Sequence, residues 1–479
     1  MNVQTPGYRS YMGIPPLAGL CSMDEAMREG ISIDACVDRL KRFHYAFLRL
    51  HDLLLKRLVA EPVYELKMGF SHHAYLCAEH VAALRKRVAE MREPPLGLDK
   101  VPHPALELFF DEIRAAPSTR ALLEGVYGKA LPALKAGLER HMRDTNRLAD
   151  APSVRLCRFA LLEVEDMIAY GQAALAGMAA ETPAGETPPA WLSLLDDSLA
   201  AAGGLDGTEE HAAITLERMY SATPYVFDRV PRRDERFPDP YNMAVNAEAF
   251  IYDESYPPEP KILMLFYKRL REIDVPEMMA SIIVETERKP WEYYLDMTRQ
   301  LWDEARHAMM GEAGFASMGI DWPSLVRINF TWSLGLNTQL TPLERHAVLY
   351  FIEQGLMPKT GKRYEWEIAS ASGNKLAMLF QDYDWADEVL HARIGREWYV
   401  SEMKGPGEAR RYGDECWSKV LMDWNRWREE GLTQHHNWWP DLYRAACERQ
   451  GITPDPYVLA YATSYESTRA DLKAISASG

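Results

Sequence analysis

Apolar residues recur along the chain with the three- and four-residue spacing of an α-helix. Leu50, Leu53, Leu54 and Leu58 follow this spacing, and a second such run lies between residues 76 and 88. This spacing places the apolar side chains on one face of a helix. The alternation of apolar and polar residues that is typical of a β-strand is nearly absent. The pattern therefore predicts an all-α protein.

Segments rich in proline and glycine interrupt the helical pattern at residues 92–104, 181–207 and 220–260. Such segments are typical of turns and connections. The third is also rich in aromatic residues, which favours an ordered segment over a disordered linker. The second is the best domain boundary. The predicted organisation is an N-terminal extension at 1–34, a helical bundle at 35–182, a linker at 183–207, a second helical bundle at 208–402 and a helical C-terminal extension at 403–479.

The second bundle is predicted to contain helices at about 277–288, 291–311, 341–356 and 374–403. The third of these has the clearest start. Thr341 and Glu344 have the spacing of a capping box, and Pro342 occupies the first helical position, where its missing N–H is tolerated. The four helices form two pairs that are separated by a connection.

Two of these helices carry the motif Glu-x-x-His. Glu304 and His307 lie on the second helix, and Glu388 and His391 lie on the fourth. Residues three apart on a helix share a face, so each motif places a carboxylate beside an imidazole. Bundles that bind two iron or manganese ions use this motif from two helices and one glutamate from each of the other two. Glu353, which lies between apolar residues of the third helix, is the candidate from that helix, because a buried carboxylate needs a partner.

The first helix offers less certain candidates. If the first two helices are antiparallel and have the same rise per residue, the residue of the first helix that lies level with Glu304 is near position 274. Glu277 and Glu272 lie on either side of that position, whereas Glu285 is too close to the turn. We select Glu277 as the ligand. A structural alternative remains open, in which Asp274 to Glu277 form the N-terminal cap of the helix.

An aspartate directly precedes the glutamate in both motifs. We expect Asp303 and Asp387 each to accept the free imidazole N–H of the histidine on the opposite helix, which would fix the orientation of that ring. The alternative is a solvated carboxylate on the outer face of the helix. The presence of aspartate in both copies favours the first interpretation.

These residues resemble the ferritin-like di-iron carboxylate superfamily, and most closely a bacterial ferritin-like family of unknown function. The resemblance rests on the motif at 387–391 followed by Gly395 and Trp398, and on the third-helix sequence at 353–356. It covers roughly residues 265–402. It implies a ferritin-like four-helix bundle that holds two iron ions, or one manganese and one iron ion, and it does not supply a substrate.

The N-terminal bundle resembles a degenerate copy of the second one. Residues 61–92 are similar to residues 289–321, and residues 165–169 are similar to the motif on the last helix. Cys77 then stands where the second bundle has Glu304, and Ala169 stands where it has a histidine. We therefore expect this bundle to bind no pair of metal ions.

Composition excludes several functions. The chain has 54 lysines and arginines against 70 aspartates and glutamates, and the resulting formal net charge of −16 argues against nucleic-acid binding, because it repels phosphate backbones. The six cysteines are scattered without a Cys-x-x-Cys pair, which is typical of reduced thiols. No secretory signal or membrane-spanning segment is evident. We expect a cytoplasmic protein that does not enter membranes.

The leading functional hypothesis is a non-haem di-metal oxidase or oxygenase. Its partners would be O₂, an electron donor and a small organic substrate, and a homodimer is left open. One alternative is a ferritin-like protein that binds metal without catalytic turnover. Another is a nucleic-acid modifying oxygenase, against which the net charge argues. The sequence does not identify a catalytic residue beyond the metal ligands.

Overall fold

The computed structural model describes residues 8–181, 187–358, 361–421 and 424–468. Within these ranges the regular secondary structure is helical and no β-strand occurs, which confirms the all-α class. The first residues of the predicted N-terminal extension and of the predicted 183–207 linker lie outside the described ranges. None of the described helices is both long and apolar enough to cross a membrane.

The chain divides into two compact units. The first contains residues 1–54 and 73–227, and the second contains residues 55–72 and 228–479. The division after residue 227 lies beyond the predicted linker at 183–207. One reason is Glu112 of the first unit, a buried carboxylate that accepts hydrogen bonds from the backbone N–H groups of Met219, Tyr220 and Ser221. These bonds fix residues 219–221 to the first unit.

The longest helices of the first unit lie near the start and near the end of its sequence. A π-helical segment, Glu124–Ala130, connects two of them. Their bounds are α1 Met23–Ala26, α2 Ile33–Leu58, α3 Tyr64–Met91, α4 Pro104–Arg114, α5 Thr119–Leu123, α6 Leu131–Asp144, α7 Ala151–Glu181 and α8 Pro189–Ala201. The turn between α2 and α3, with the adjoining ends of both helices, belongs to the second unit.

Helices of the second unit follow a stretch without regular helix that ends at Asn246. The bounds are α9 Ala247–Ile251, α10 Pro258–Arg271, α11 Asp274–Glu285, α12 Trp291–Ser317, α13 Trp322–Leu325, α14 Thr331–Gln339, α15 Pro342–Leu356, α16 Lys362–Ala371, α17 Lys375–Trp398, α18 Pro406–Leu421, α19 Trp424–Glu429, α20 Trp439–Gln450, α21 Pro456–Leu459 and α22 Tyr465–Thr468.

The four predicted helices of the second unit correspond to α11, α12, α15 and α17. The capping box at the start of α15 is confirmed, because the Thr341 hydroxyl accepts from the N–H of Glu344 and the Glu344 carboxylate accepts from the N–H of Thr341. Helix α17 starts after Asn374, whose side chain caps it, and ends at Trp398 rather than near residue 403. The sequence pattern missed α10 and α16.

In two places a helix is followed after a short break by another helix. Helix α10 ends at Arg271 and α11 begins at Asp274, while α15 ends at Leu356 and α16 begins at Lys362. Helix α10 packs against α12 and α16, and α11 packs against α12 and α15. Helix α17 packs against α12, α15 and α16. The breaks interrupt the ladder of backbone hydrogen bonds next to a cluster of buried charged side chains.

The C-terminal extension folds back onto α10. The Trp438 ring lies against the Tyr267 ring, with a centroid separation of 4.4 Å, and Trp439 donates its indole N–H to the carbonyl of Val458. Both tryptophans are fully buried. Aromatic side chains of this size contribute a large part of core stability. The two tryptophans therefore anchor the extension on the second unit.

Helices α10 and α12 approach each other closely at Gly311, and this contact can be tested. A methyl group at position 311 would overlap the backbone of Phe266 and Leu270. Because backbone atoms cannot move aside as a side-chain end can, we expect Gly311→Ala to lower the free energy of unfolding by about 3 kcal/mol. Chemical denaturation of the purified variant measures this change.

The matched control is Gly177→Ala in α7, where no atom lies within 4 Å of the added methyl group. Alanine is the better helix former, so this variant should be unchanged or more stable by up to about 1 kcal/mol. Equal stabilities of the two variants would contradict the close approach of α10 and α12.

Candidate metal centre

The two Glu-x-x-His motifs face each other between α12 and α17. Glu304 and His307 lie one turn apart on α12, and Glu388 and His391 lie one turn apart on α17. All four side chains are buried. The centroids of the two imidazole rings are 5.9 Å apart. The structure therefore brings both motifs to one place in the core.

The Glu304 carboxylate lies between the two imidazoles. Its Oε2 atom is 3.4 Å from Nδ1 of His307, and its Oε1 atom is 3.2 Å from Nδ1 of His391. One oxygen of Glu304 therefore lies beside His307, and the other lies beside His391. This division is the arrangement that a carboxylate needs in order to bridge two cations.

The outer nitrogen of each imidazole faces an aspartate from the opposite helix. Nε2 of His307 is 3.1 Å from Asp387, and Nε2 of His391 is 3.4 Å from Asp303. These are the cross-helix pairs that the sequence predicts. An acceptor at Nε2 favours a proton on that nitrogen, so Nδ1 is the nitrogen that can bind a metal ion. Burial opposes the charge on Asp303, but hydrogen bonds from His391 and Arg306 keep the pKa of its carboxyl below the ordinary value.

Glu353 of α15 joins the group around His391. Its Oε1 atom lies 3.9 Å from Nδ1 of His391 and accepts a hydrogen bond of 3.0 Å from Gln300. Burial and the neighbouring Glu388 raise the pKa of Glu353 well above its ordinary value. The pKa of Glu388 lies well below its ordinary value, since Lys362 and hydrogen bonds from Glu353 and His391 outweigh the effect of burial. The pair therefore favours a neutral Glu353 beside an ionised Glu388.

Glu272, at the break between α10 and α11, is the carboxylate that the first helix contributes. Its Oε2 atom is 3.4 Å from Nδ1 of His307, and Arg269 binds its other oxygen at 2.8 Å. Glu272, Glu304 and His307 form one group of potential ligand atoms, and Glu304, Glu353, Glu388 and His391 form another. In each group the atoms lie within 4.8 Å of one another.

The selection of Glu277 is corrected by its surroundings. Its carboxylate is bound by Lys67 at 2.8 Å, by Arg233 at 2.9 Å and by the Ser333 hydroxyl at 2.6 Å. Burial opposes ionisation, but Arg233 and Lys67 hold the pKa of Glu277 below its ordinary value. Glu277 is therefore a buried ion-pair residue. Its position follows from the break after Arg271, which the helical pattern did not reveal.

The other interpretations of the first helix also fail. Glu285 pairs with Arg345 and with Arg229, the latter at 2.7 Å. Asp274 does not cap α11, because the N-cap residue is Ile273 and makes no side-chain hydrogen bond to the helix. Asp274 pairs instead with Arg233.

Three further charged side chains at the cluster were not predicted. Asp384 of α17 lies 3.4 Å from Nδ1 of His307. The ammonium group of Lys362 lies 2.8 Å from Asp384 and 2.9 Å from Glu388. Arg269 forms ion pairs with Asp384 and Glu272. Asp384 lies one turn before Glu388, a spacing that would have marked it, whereas Lys362 and Arg269 come from helices that the pattern missed.

The polar atoms of the cluster fit a pair of metal ions. Nδ1 of His307, Nδ1 of His391 and one carboxylate oxygen each of Glu272, Glu353 and Glu388 are buried without a hydrogen bond of good geometry among the described residues. Buried polar atoms without partners are rare and costly. These atoms converge on the same two groups. Carboxylate oxygens and imidazole nitrogens are common ligands of divalent metal ions in proteins.

A cavity of about 460 Å³ adjoins the cluster. Four of the cluster carboxylates line it, and apolar side chains from α11, α14, α15 and α18 form much of its wall: Val275, Met278, Trp332, Leu336, Leu349, Ile352, Leu356 and Trp417. Its volume lies in the range of small-molecule sites in proteins.

The proposed degenerate motif of the first unit has different surroundings. Cys77 is buried, but Glu165 and Ala169 lie on the exposed side of α7. His80, three residues after Cys77, pairs with Glu163 at 2.6 Å. These residues do not face a common centre as their counterparts in the second unit do.

Another group of potential ligands in the first unit consists of Cys36, His141 and Asp150. The Asp150 carboxylate accepts hydrogen bonds from the Cys36 thiol at 3.2 Å, from Thr145 at 3.0 Å and from Arg87 at 3.0 Å. Burial and the neighbouring Asp150 raise the pKa of the Cys36 thiol to about 12. The thiol therefore acts as a hydrogen-bond donor that connects α2 to the start of α7.

Comparison with known proteins does not identify the chain. No protein-family model, no curated protein and no solved structure matches it. A function for this chain must therefore be inferred from its residues and their geometry.

The assignment of Glu272 in place of Glu277 can be tested directly. We expect Glu272→Gln to lower the metal content of purified protein and to cost less stability than Glu277→Gln, because Arg269 loses its pair with Glu272 but keeps its pair with Asp384. Glu277→Gln should leave the bound metal in place but lower the free energy of unfolding by about 3 kcal/mol, because it weakens a buried pair with Lys67 and Arg233. Elemental analysis and denaturation of both variants check this. The reverse pattern would restore Glu277 as the ligand.

Metal binding should release protons. Burial alone would lower the pKa of His307, but Asp387, Glu272 and Glu304 raise it to about 10, and the pKa of His391 is also raised well above its ordinary value. These shifts favour a proton on each imidazole, and burial beside Glu388 favours one on Glu353, and these protons must leave before the groups can bind a metal ion. We expect proton release on metal binding and an apparent affinity that rises with pH up to about 10, where His307 loses its proton. Calorimetry in buffers of different ionisation enthalpy counts these protons. Metal binding without proton release would contradict the protonation of these three side chains.

Proposed function

We propose that this protein is a non-haem di-metal oxidase or oxygenase of the ferritin-like type. It would hold two iron ions, or manganese and iron, and use O₂ to oxidise a small organic molecule. The observation that carries the proposal is the division of the Glu304 carboxylate between two imidazoles, each supported by an aspartate from the opposite helix.

The ligand chemistry supports a redox-active pair of ions. The cluster offers carboxylates, imidazole nitrogens that become neutral on loss of a proton, and no thiolate, and this set suits iron and manganese. Reduced iron bound in such a site supplies electrons to O₂, which is the chemistry that oxidases and oxygenases require. The carboxylates come from α12, α15, α17 and the turn after α10, and ligands from four chain segments are typical of bundles that bind two metal ions.

The residues of the chain hold the cluster in place. The fully buried rings of His307 and His391 are fixed from outside by Asp387 and Asp303. Gln300 orients Glu353 through a hydrogen bond to its Oε1 atom. Groups that are held in this way need little reorganisation when a charge develops at the centre.

The adjoining cavity supports turnover of a small organic molecule. The charged side chains that line it away from the cluster are paired: Lys268 with Glu365, Arg271 with Glu248 and Asp274 with Arg233. Its wall therefore offers apolar contacts and little uncompensated charge. A largely apolar substrate would fit this wall, and the bound molecule would lie next to the cluster carboxylates.

The proposal is tested by metal content and by oxygen uptake. Protein grown with iron is expected to contain about two metal ions per chain. After anaerobic reduction, it should consume O₂ rapidly when mixed with oxygenated buffer. His391→Gln should lower the metal content to about one ion or less and abolish the fast phase, because it removes a nitrogen ligand. An oxygen electrode and elemental analysis measure the two quantities.

The matched control is Glu292→Gln, an exposed glutamate at the start of α12. It should retain the metal content and the oxygen uptake of the unchanged protein. Two bound ions without oxygen uptake would favour metal binding without turnover. Absence of bound metal after growth with iron and with manganese would exclude both functions.

A further inference from the structure

The two groups of ligand atoms differ in the positive charge that the chain itself places on them. In the group around His391, Glu304 and Glu353 make no ion pair with a lysine or arginine among the described residues. In the group around His307, Arg269 binds Glu272 at 2.8 Å, and both Arg269 and Lys362 bind Asp384. The His307 group is therefore already compensated by cations of the protein.

The ammonium group of Lys362 also binds one oxygen of Glu388 on α17. Its ammonium nitrogen lies 2.9 Å from Oε1 of Glu388, while Oε2 of Glu388 lies 3.6 Å from Nδ1 of His391. As the first residue of α16, Lys362 is placed by the break after α15. Its side chain is 1% exposed, so the ammonium group cannot leave for solvent without a change in packing.

A divalent cation in the His307 group would meet this positive charge at short range. Like charges a few ångströms apart repel strongly where solvent is excluded. It would also compete with Lys362 for Glu388 and Asp384. A cation in the His391 group competes with Lys362 for Glu388 alone, because Glu304 and Glu353 pair with no lysine or arginine among the described residues.

We propose that Lys362, together with Arg269, makes the two metal positions unequal. The first ion binds tightly at His391, Glu304, Glu353 and Glu388. The second binds more weakly at His307, Glu272 and Glu304, and Lys362 sets its affinity. This inference rests on the proposed di-metal function. Its consequence is that the supply of metal ions determines which fraction of the protein carries both ions.

The experiment is an anaerobic titration of metal-free full-length protein with Mn²⁺, followed by calorimetry and by electron paramagnetic resonance. A single bound Mn²⁺ and a coupled pair give different spectra, so the order of filling is visible. We expect two affinities that differ by about 10- to 100-fold. Lys362→Met should tighten the second affinity by about 10-fold, and Lys362→Arg, which keeps the charge, should leave it weak.

Arg363→Gln is the matched control, because Arg363 is the next residue of α16 but is exposed and pairs only with Glu367 in the described residues. It should leave both affinities unchanged. If Lys362→Met does not fold, the order of filling is read from Glu353→Gln, which should weaken the first affinity, and from Glu272→Gln, which should weaken the second.

The outcomes separate this inference from the proposed function. Two equal affinities in the unchanged protein, or an unchanged ratio in Lys362→Met, would overturn the role of Lys362, while oxygen uptake by the loaded protein would still support the proposed function. Failure to bind any Mn²⁺ or Fe²⁺ would overturn both. Unequal affinities without oxygen uptake would support the inference and contradict the proposed oxidase.

Discussion

Burial of many carboxylates in one helical core is the constraint on which the second unit depends. A buried carboxylate is costly unless a cation, a proton or several donors compensate it. Away from the cluster, the chain supplies its own cations, as Lys67 and Arg233 do for Glu277. At Glu353 the raised pKa favours the neutral acid, and the Gln300 amide donates a hydrogen bond to the side chain. The kind of compensation thus separates carboxylates that stabilise the fold from those that remain able to bind an ion.

The helix breaks determine which charged residues reach the centre. Residues 258–285 form two helices that are separated by a short turn and not one continuous helix. The break after Arg271 allows Glu272 to reach His307, while Glu277 turns toward the buried arginine. The second break starts α16 at Lys362 and directs an ammonium group to the same centre. The two helix breaks therefore bring Glu272 to the centre as a potential ligand and Lys362 to the same centre as a cation of the chain.

The sequence revealed the parts of the centre that depend on local spacing. Two residues three apart on a helix share a face whatever the rest of the fold does, so Glu304, His307, Glu388 and His391 could be predicted together. The cross-helix aspartates followed from the need of an imidazole for an acceptor at its outer nitrogen. Glu272 could not be distinguished from Glu277 in this way, because the choice depends on a helix break and on an arginine far away in the sequence.

The internal cations also bear on how folding and metal binding are related. In small metal-binding domains, the ion supplies the free energy that folds the chain. In this protein Arg269 and Lys362 neutralise Glu272 and Asp384 from within, and the raised pKa of His307 adds a positive charge near neutral pH. These cations therefore lower the electrostatic cost of burying the carboxylates in the metal-free protein. Because the same cations repel an incoming ion, the features that let the core form without metal also limit the affinity of the second position.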